Sequence, residues 1–201
     1  MIAGLLLAAG RSTRFGADKL LALVDGAPVL SWSAAALAAE VDALFIVVPP
    51  DVASRLLVAS GVEAVTVEHA RRDEGLASSI RAGVAALPTH VEAVVIALAD
   101  QPFVSPGIVR RLRERWSAGG VTAVAPRYRE GRGHPVLFGR SAFAALQALE
   151  GDEGAKTLLE SLGPGLALVD VDEAMPADVD TPYALRALDA RRRRTDSGGS
   201  P

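Results

Sequence analysis

Short, uninterrupted apolar runs alternate with amphipathic stretches along the first half of the chain. IAGLLLA (2–8), ALFIVV (43–48), VEAVT (62–66) and AVVIALA (93–99) are apolar at nearly every position. A strand with one wet face would alternate polar and apolar residues, so these runs predict strands covered on both faces, the condition of a parallel sheet. PVLSWSAAALAAE, DVASRLLVAS, GLASSIRAGVAAL and SPGIVRRLRERWSAG lie between and after them and predict helices. In the last, Ile108, Leu112 and Trp116 recur at helical spacing while the arginines take the other face. Ser105 is expected to cap that helix, with Pro106 at its first position.

The second half is less regular. GGVTAVAPRYREGRGHPVLFGR predicts two strands joined by a charged, glycine-containing loop. GAKTLLESL predicts a helix, LALVDVD a strand, and PYALRALDA a closing helix after the turn at DVDTP. Strand and helix in this order predict a single-domain, three-layer α/β fold with a mostly parallel, Rossmann-like sheet and right-handed crossovers. The domain is expected to span residues 1–190. Residues 191–201, polar and rich in glycine and serine, are expected to form a disordered tail. The run of arginines before it reads as a solvated helix end.

Composition narrows the classes. A chain of 201 residues supports one domain with a sizeable core. A net charge of −3 offers no global attraction to nucleic acid or to an anionic membrane. With no cysteine, a disulfide framework, a thiolate metal site and a cysteine nucleophile are all excluded, which fits a cytoplasmic protein. No apolar run approaches the roughly 18 residues of a membrane span. The run from Ile2 to Ala9 is short even for a signal-peptide core. Its basic residues (Arg11, Arg14, Lys19) follow it, the reverse of a secretory signal. The opening therefore reads as the first strand of the fold.

Ligands of open α/β sheets bind beyond the carboxyl ends of the strands, where Ala9-Gly10-Arg11-Ser12-Thr13-Arg14-Phe15-Gly16 lies. Small residues there let backbone N–H groups approach an anion. Arg14 and Lys19 add positive charge and Ser12 a hydroxyl donor, so the loop has the makings of a triphosphate cradle. Neither GxxxxGK[ST] nor GxGxxG occurs.

LAAGRSTRFGADKLL resembles the LAAGxSxRMGxxKLL signature of the molybdenum cofactor cytidylyltransferase family, with Phe15 for the usual methionine. Further segments in the same order are similar to that family's: GLASSIRAG (75–83), ALADQPFV (97–104), GHPVLF (133–138), GDEGAKTLL (151–159) and DVDTP (178–182). The resemblance implies a Mg²⁺-dependent nucleotidyltransferase fold and activity, moving CMP from CTP (or another nucleoside triphosphate) to molybdenum-bound molybdopterin with release of pyrophosphate. Ala9 favours CTP, since guanylyl-transferring relatives more usually read LAGG. Implied partners are the nucleotide, the pterin acceptor, and a molybdenum hydroxylase apoenzyme or its maturation factor.

The same resemblance assigns roles. Lys19, Arg14 and Asp100 would be catalytic, with Lys19 meeting the α-phosphate as it becomes five-coordinate. Leu7, Ala8, Ala9, Gly10, Ser12, Arg14, Lys19, Gly75, Ser78 and Ser79 would bind the nucleotide. Asp100 and Asp180 would hold Mg²⁺, and Gly133, His134 and Pro135 the acceptor, beside Arg132. Some residues keep two readings. Asp180 sits in a segment that is also a good helix start, Asp178 is a ligand or a bystander, and His69 meets a base edge or is simply exposed. Two rivals remain for the whole chain: an NAD(P)H-dependent oxidoreductase of the nicotine blue oxidoreductase type, and a non-catalytic carrier of molybdenum cofactor.

Overall fold

Three of the four apolar runs become largely buried strands, whereas VEAVT gives an edge strand with no buried residue. In the computed structural model, which describes residues 1–10, 15, 18–71, 74–151 and 154–197, β1 (Ile2–Leu7) is buried at every position. A 3₁₀ turn at Lys19–Leu21 leads into a small hairpin, β2 (Leu23–Val24) and β3 (Ala27–Pro28), and then α1 (Val29–Ala38). β4 (Ala43–Val48), α2 (Ala53–Ser60), β5 (Val65–Glu68), α3 (Gly75–Ala85), β6 (Ala93–Leu98) and α4 (Pro106–Ser117) complete the first half. The second half contains β7 (Ala123–Tyr128), β8 (Gly131–Arg132), β9 (Val136–Gly139), α5 (Phe143–Gln147), α6 (Lys156–Ser161), β10 (Leu166–Asp170) and α7 (Pro182–Ser197).

Among the described residues, eight strands form one sheet in the order β10-β7-β9-β6-β1-β4-β5, with β8 added beside β7. All the long pairings are parallel except those of β9, which runs antiparallel to both β6 and β7. Successive strand residues face opposite sides. Leu6, Ile46, Val95 and Leu137 meet Leu30, Leu37, Leu56, Ile108 and Leu112 of α1, α2 and α4. Leu5, Phe45, Val94, Ile96 and Phe138 meet Ile80, Val84, Leu146 and Leu159 of α3, α5 and α6. The result is the expected three-layer, mostly parallel α/β domain.

Local departures have physical reasons. β5 lies further along than VEAVT because it pairs only with β4, in a register that sets Phe45 opposite Val65 and Val48 opposite Glu68; Val62 and Ala64 instead pack on the core from the preceding loop. The β2–β3 hairpin turns on Asp25 (φ 50°) and Gly26 (φ 77°), a two-residue Asp-Gly turn of the primed type. Ser105 does stand at the N-cap of α4 with Pro106 following, but its side chain makes no capping hydrogen bond. α7 runs on through residues 191–197 of the stretch expected as tail; residues 198–201 lie outside the described residues.

Helix and sheet approach closely at Gly83. A Cβ there would lie 2.5 Å from Leu5 Cδ1, and Leu5 is fully buried. Overpacking costs about 1–3 kcal/mol, against about 1 kcal/mol that alanine gains over glycine in a helix. Gly83→Ala should therefore lower stability, by up to about 2 kcal/mol, in urea denaturation. A variant as stable as the parent would mean that Leu5 steps aside freely.

Candidate active site

β1 and β6 pair in parallel with Leu7 opposite Leu98, so the chain leaves both strands at the same edge of the sheet. Backbone bonds fix the exits: Ala99 N–H donates to Leu7 O (3.1 Å), and Ala8 N–H to Val47 O (2.9 Å). Asp100 follows at once. Val179 N–H donates to Asp100 O (2.9 Å), which draws the DVDTP segment against the end of β6. Thr181 then caps α7, its Oγ1 accepting from Ala184 N–H (3.1 Å). The helix-start role thus falls to Thr181, and the carboxylate of Asp180 turns elsewhere.

It turns to Lys19. The Lys19 Nζ donates to Asp100 Oδ2 (2.6 Å) and to Asp180 Oδ1 (2.9 Å). Asp18 starts the turn that carries Lys19, its side chain accepting from Leu20 N–H (3.3 Å). Lys19 is only 8% exposed. Burial alone would push its pKa down, but the adjacent carboxylates of Asp100 and Asp180 outweigh it and hold the amine above its ordinary value. The amine is therefore fully protonated at neutral pH, and three sequence-predicted residues meet at one point.

Asp178 stands beside them. Gln101, 4% exposed, donates from Nε2 to Asp178 Oδ1 (2.8 Å). Burial pushes the Asp178 carboxyl up, opposed by that hydrogen bond and reinforced by Asp100 and Asp180. Among the described residues the buried Oε1 of Gln101 has no hydrogen-bond partner. Gln101 was legible within ALADQPFV, yet the motif directs attention to the aspartate and the amide was passed over.

On the other side of Asp100, β9 begins. His134 Nδ1 lies 3.4 Å from Ile96 O, and Tyr128 Oη donates to His134 O (2.7 Å). Burial is the main cause that lowers the His134 pKa, against the pull of Asp178 and Asp100. A cavity of about 360 Å³ opens here, lined among others by Leu76, Arg132, Gly133, His134, Lys156 and Leu159. Pro135 is buried beneath it. The predicted acceptor residues thus border a hollow with apolar walls and basic side chains.

The remaining expectations divide. Gly10 is exposed, and a Cβ there would meet nothing within 4 Å. Leu7, Ala8 and Ala9 are buried beneath it, and the N–H of Ala8, already given to Val47, is not among the donors left for a phosphate. Ser12 and Arg14 lie outside the described residues. Gly75 opens α3 with φ 82°. The Ser78 hydroxyl is engaged internally, with Gly75 O (2.8 Å), Arg71 O (3.1 Å) and His69 Nε2 (2.9 Å). Ser79 is 6% exposed. His69 is neither exposed nor aimed outward, but 7% exposed and paired with Ser78. Burial chiefly lowers its pKa, so the ring is neutral near pH 7.

A buried cation and two converging carboxylates thus stand at the carboxyl edge of a mostly parallel sheet. Comparison with known proteins gives the family. Residues 4–167 match the MobA-like NTP transferase domain. The chain is 31% identical over 195 residues to the purine catabolism protein PucB of Bacillus subtilis, covering 89% of this chain and 91% of that one. It superposes on the crystal structure of Rv0371c from Mycobacterium tuberculosis with a TM-score of 0.81 at 33% identity, covering 94% and 97% of the two chains. A manganese complex of Rv0371c gives 0.77 at 32% identity, covering 93% and 97%. The chain belongs to the MobA-like NTP transferase domain family, and it is a nucleotidyltransferase. Among the described residues no helix is long and apolar enough to cross a membrane.

The raised pKa of Asp178 has a testable consequence. Its folded value lies above its unfolded one, so the ionised group is less favourable in the folded chain and opposes stability as pH rises above about 4. Asp178→Asn should raise the melting temperature at pH 7, and the gain should shrink as pH falls towards 4. A neutral or destabilising effect at pH 7 would show that the charge is compensated.

Proposed function

We propose that the chain transfers CMP from CTP to molybdenum-bound molybdopterin, releasing pyrophosphate. The observation that carries this reading is the convergence of Lys19, Asp100 and Asp180 beyond β1 and β6. The base assignment is supported by Ala9, and the acceptor by the likeness of GHPVLF and GDEGAKTLL to the cytidylyltransferase pattern. In the reaction an acceptor phosphate oxygen bonds to the α-phosphorus. The bond from that phosphorus to the oxygen bridging to the β-phosphate breaks, and pyrophosphate leaves with the electron pair. Both reactants are anionic, so alignment and charge neutralisation do most of the work.

Each residue then has a task. Lys19 donates to the α-phosphate oxygens as charge gathers on them. Gly10 leaves room for the nucleotide, and Ser12 and Arg14 hold the β- and γ-phosphates. Leu7, Ala8 and Ala9 shape the floor of that cradle, and Gly75, Ser78 and Ser79 fix the start of α3 against the nucleoside, with His69 bracing Ser78. Asp100 and Asp180 offer hard oxygen ligands that already surround a cation, a donor set suited to Mg²⁺. Mg²⁺ usually keeps several waters and borrows phosphate oxygens, so two carboxylates suffice to hold it. Bound there, Mg²⁺ would neutralise phosphate charge. Gly133, His134 and Pro135 form the acceptor wall. The receiving partner is a molybdenum hydroxylase apoenzyme or its maturation factor, and the setting is the cytoplasm.

Pyrophosphate release with each nucleoside triphosphate, Mg²⁺ and molybdenum-bearing molybdopterin tests the reading. CTP should be consumed in preference to ATP, GTP and UTP. GTP consumed beside untouched CTP would overturn the base, and no turnover with any would overturn the activity. Asp100→Asn and Lys19→Met should each lower kcat by about 10²-fold or more while leaving the circular dichroism spectrum unchanged.

A further inference from the structure

We propose that the Lys19 ammonium is a built-in occupant of the metal position. It holds the carboxylates of Asp100 and Asp180 together until a divalent cation replaces it, and that replacement releases it towards the nucleotide. The inference rests on the reading that these carboxylates carry the metal.

The geometry argues for exclusion. Nζ lies 2.6 Å from Asp100 Oδ2 and 2.9 Å from Asp180 Oδ1, so it occupies the point on which both oxygens converge. A divalent ion bound by the same oxygens would sit about 2.0–2.1 Å from each. Two cations cannot share that space, and their repulsion at such range is large. The lysine side chain is a flexible four-carbon stem with a compact charge at its tip, so it can swing without moving the backbone. Its departure is unfavourable while no other anion is near, because a buried cation would lose its partners. A triphosphate supplies that anion. Metal and nucleotide should therefore bind with positive coupling, each favouring the state in which Lys19 has left the carboxylates. The resting site is kept assembled and neutralised, at the cost of weak metal binding in the absence of nucleotide.

The sequence makes the test clean, because Lys19 and Lys156 are its only lysines and Lys156 is exposed. Mn²⁺ binding without nucleotide, read by loss of the free-ion electron paramagnetic resonance signal, should tighten on the order of tenfold or more in Lys19→Met. Arg55→Met removes a positive charge from an exposed position of α2 and should bind as the parent does. Adding Asp100→Asn to Lys19→Met should abolish the gain. Equal or weaker binding by Lys19→Met, or a gain that survives Asp100→Asn, overturns the proposal. A second measurement uses the unaltered protein: acetic anhydride labelling followed by mass spectrometry. Lys19 should label slowly without metal and faster at saturating Mg²⁺, with Lys156 as the constant reference. Lys19 equally protected in both conditions overturns it. Tighter Mn²⁺ binding by Lys19→Met in a protein that consumes no nucleoside triphosphate would sink the transferase reading and leave this one standing. An active enzyme whose Lys19→Met variant binds Mn²⁺ no better does the reverse.

Discussion

A buried ammonium between two carboxylates decides where three distant parts of this chain meet. Lys19 contacts residues 81 and 161 positions away, Asp100 and Asp180. Taking a charge out of water is unfavourable unless it is paired in good geometry, so the pairing favours the arrangement in which the three segments meet. The apolar core cannot supply this constraint. Hydrophobic burial is non-directional and fixes the layers, while the carboxyl edge of the sheet, where the strands run out, needs polar contacts to close it. The backbone bonds Ala99 N–H to Leu7 O and Val179 N–H to Asp100 O serve the same end.

The concentration of charge at that edge has a cost, visible in Asp178. Its carboxyl is held by Gln101 yet pushed up in pKa by burial and by two neighbouring aspartates. A sequence chosen for stability alone would place a neutral group there. Local conflicts of this kind gather at working sites, where the requirements of chemistry override those of packing. Elsewhere the chain is consistent: strands buried on both faces, helices with one apolar side, and glycines such as Gly83 where a helix and the sheet touch.

Much of the fold was legible because the central strands are covered twice and so read as unbroken apolar runs. Legibility fails where burial is partial. β5 is an edge strand, and its pairing with β4, which no local pattern reveals, decides its bounds. α5 is a short segment of which only Leu146 is buried, too little periodicity to notice. The Asp25-Gly26 turn did carry its own signal and went unread. For the site, motif resemblance picked out Lys19, Asp100 and Asp180, but not that they touch, since contact across such separations is set by topology. Ser78 and His69 look like polar groups for a ligand. Only the fold discloses that they spend those groups on each other and on the carbonyls of Gly75 and Arg71.

The reversal of β9 explains how one edge of a parallel sheet acquires a second wall. A parallel strand beside β6 would bring its carboxyl end to the site and then have to leave by a crossover. β9 runs the other way, with Val136 opposite Ile96, and so brings its beginning. The loop from β8 thus arrives at the site instead of departing from it, carrying Arg132, Gly133 and His134 to the flank of Asp100. Tyr128 Oη ties that loop back to β7 through His134 O, and Tyr128 and Met175 press so closely on Gly133 that a Cβ would lie 3.0–3.1 Å from them. The loop is therefore braced from both ends, and the hollow it borders faces α3 and α6 across a fixed gap. β6 thus carries Asp100 out between the exit of β1 on one side and the start of β9 on the other.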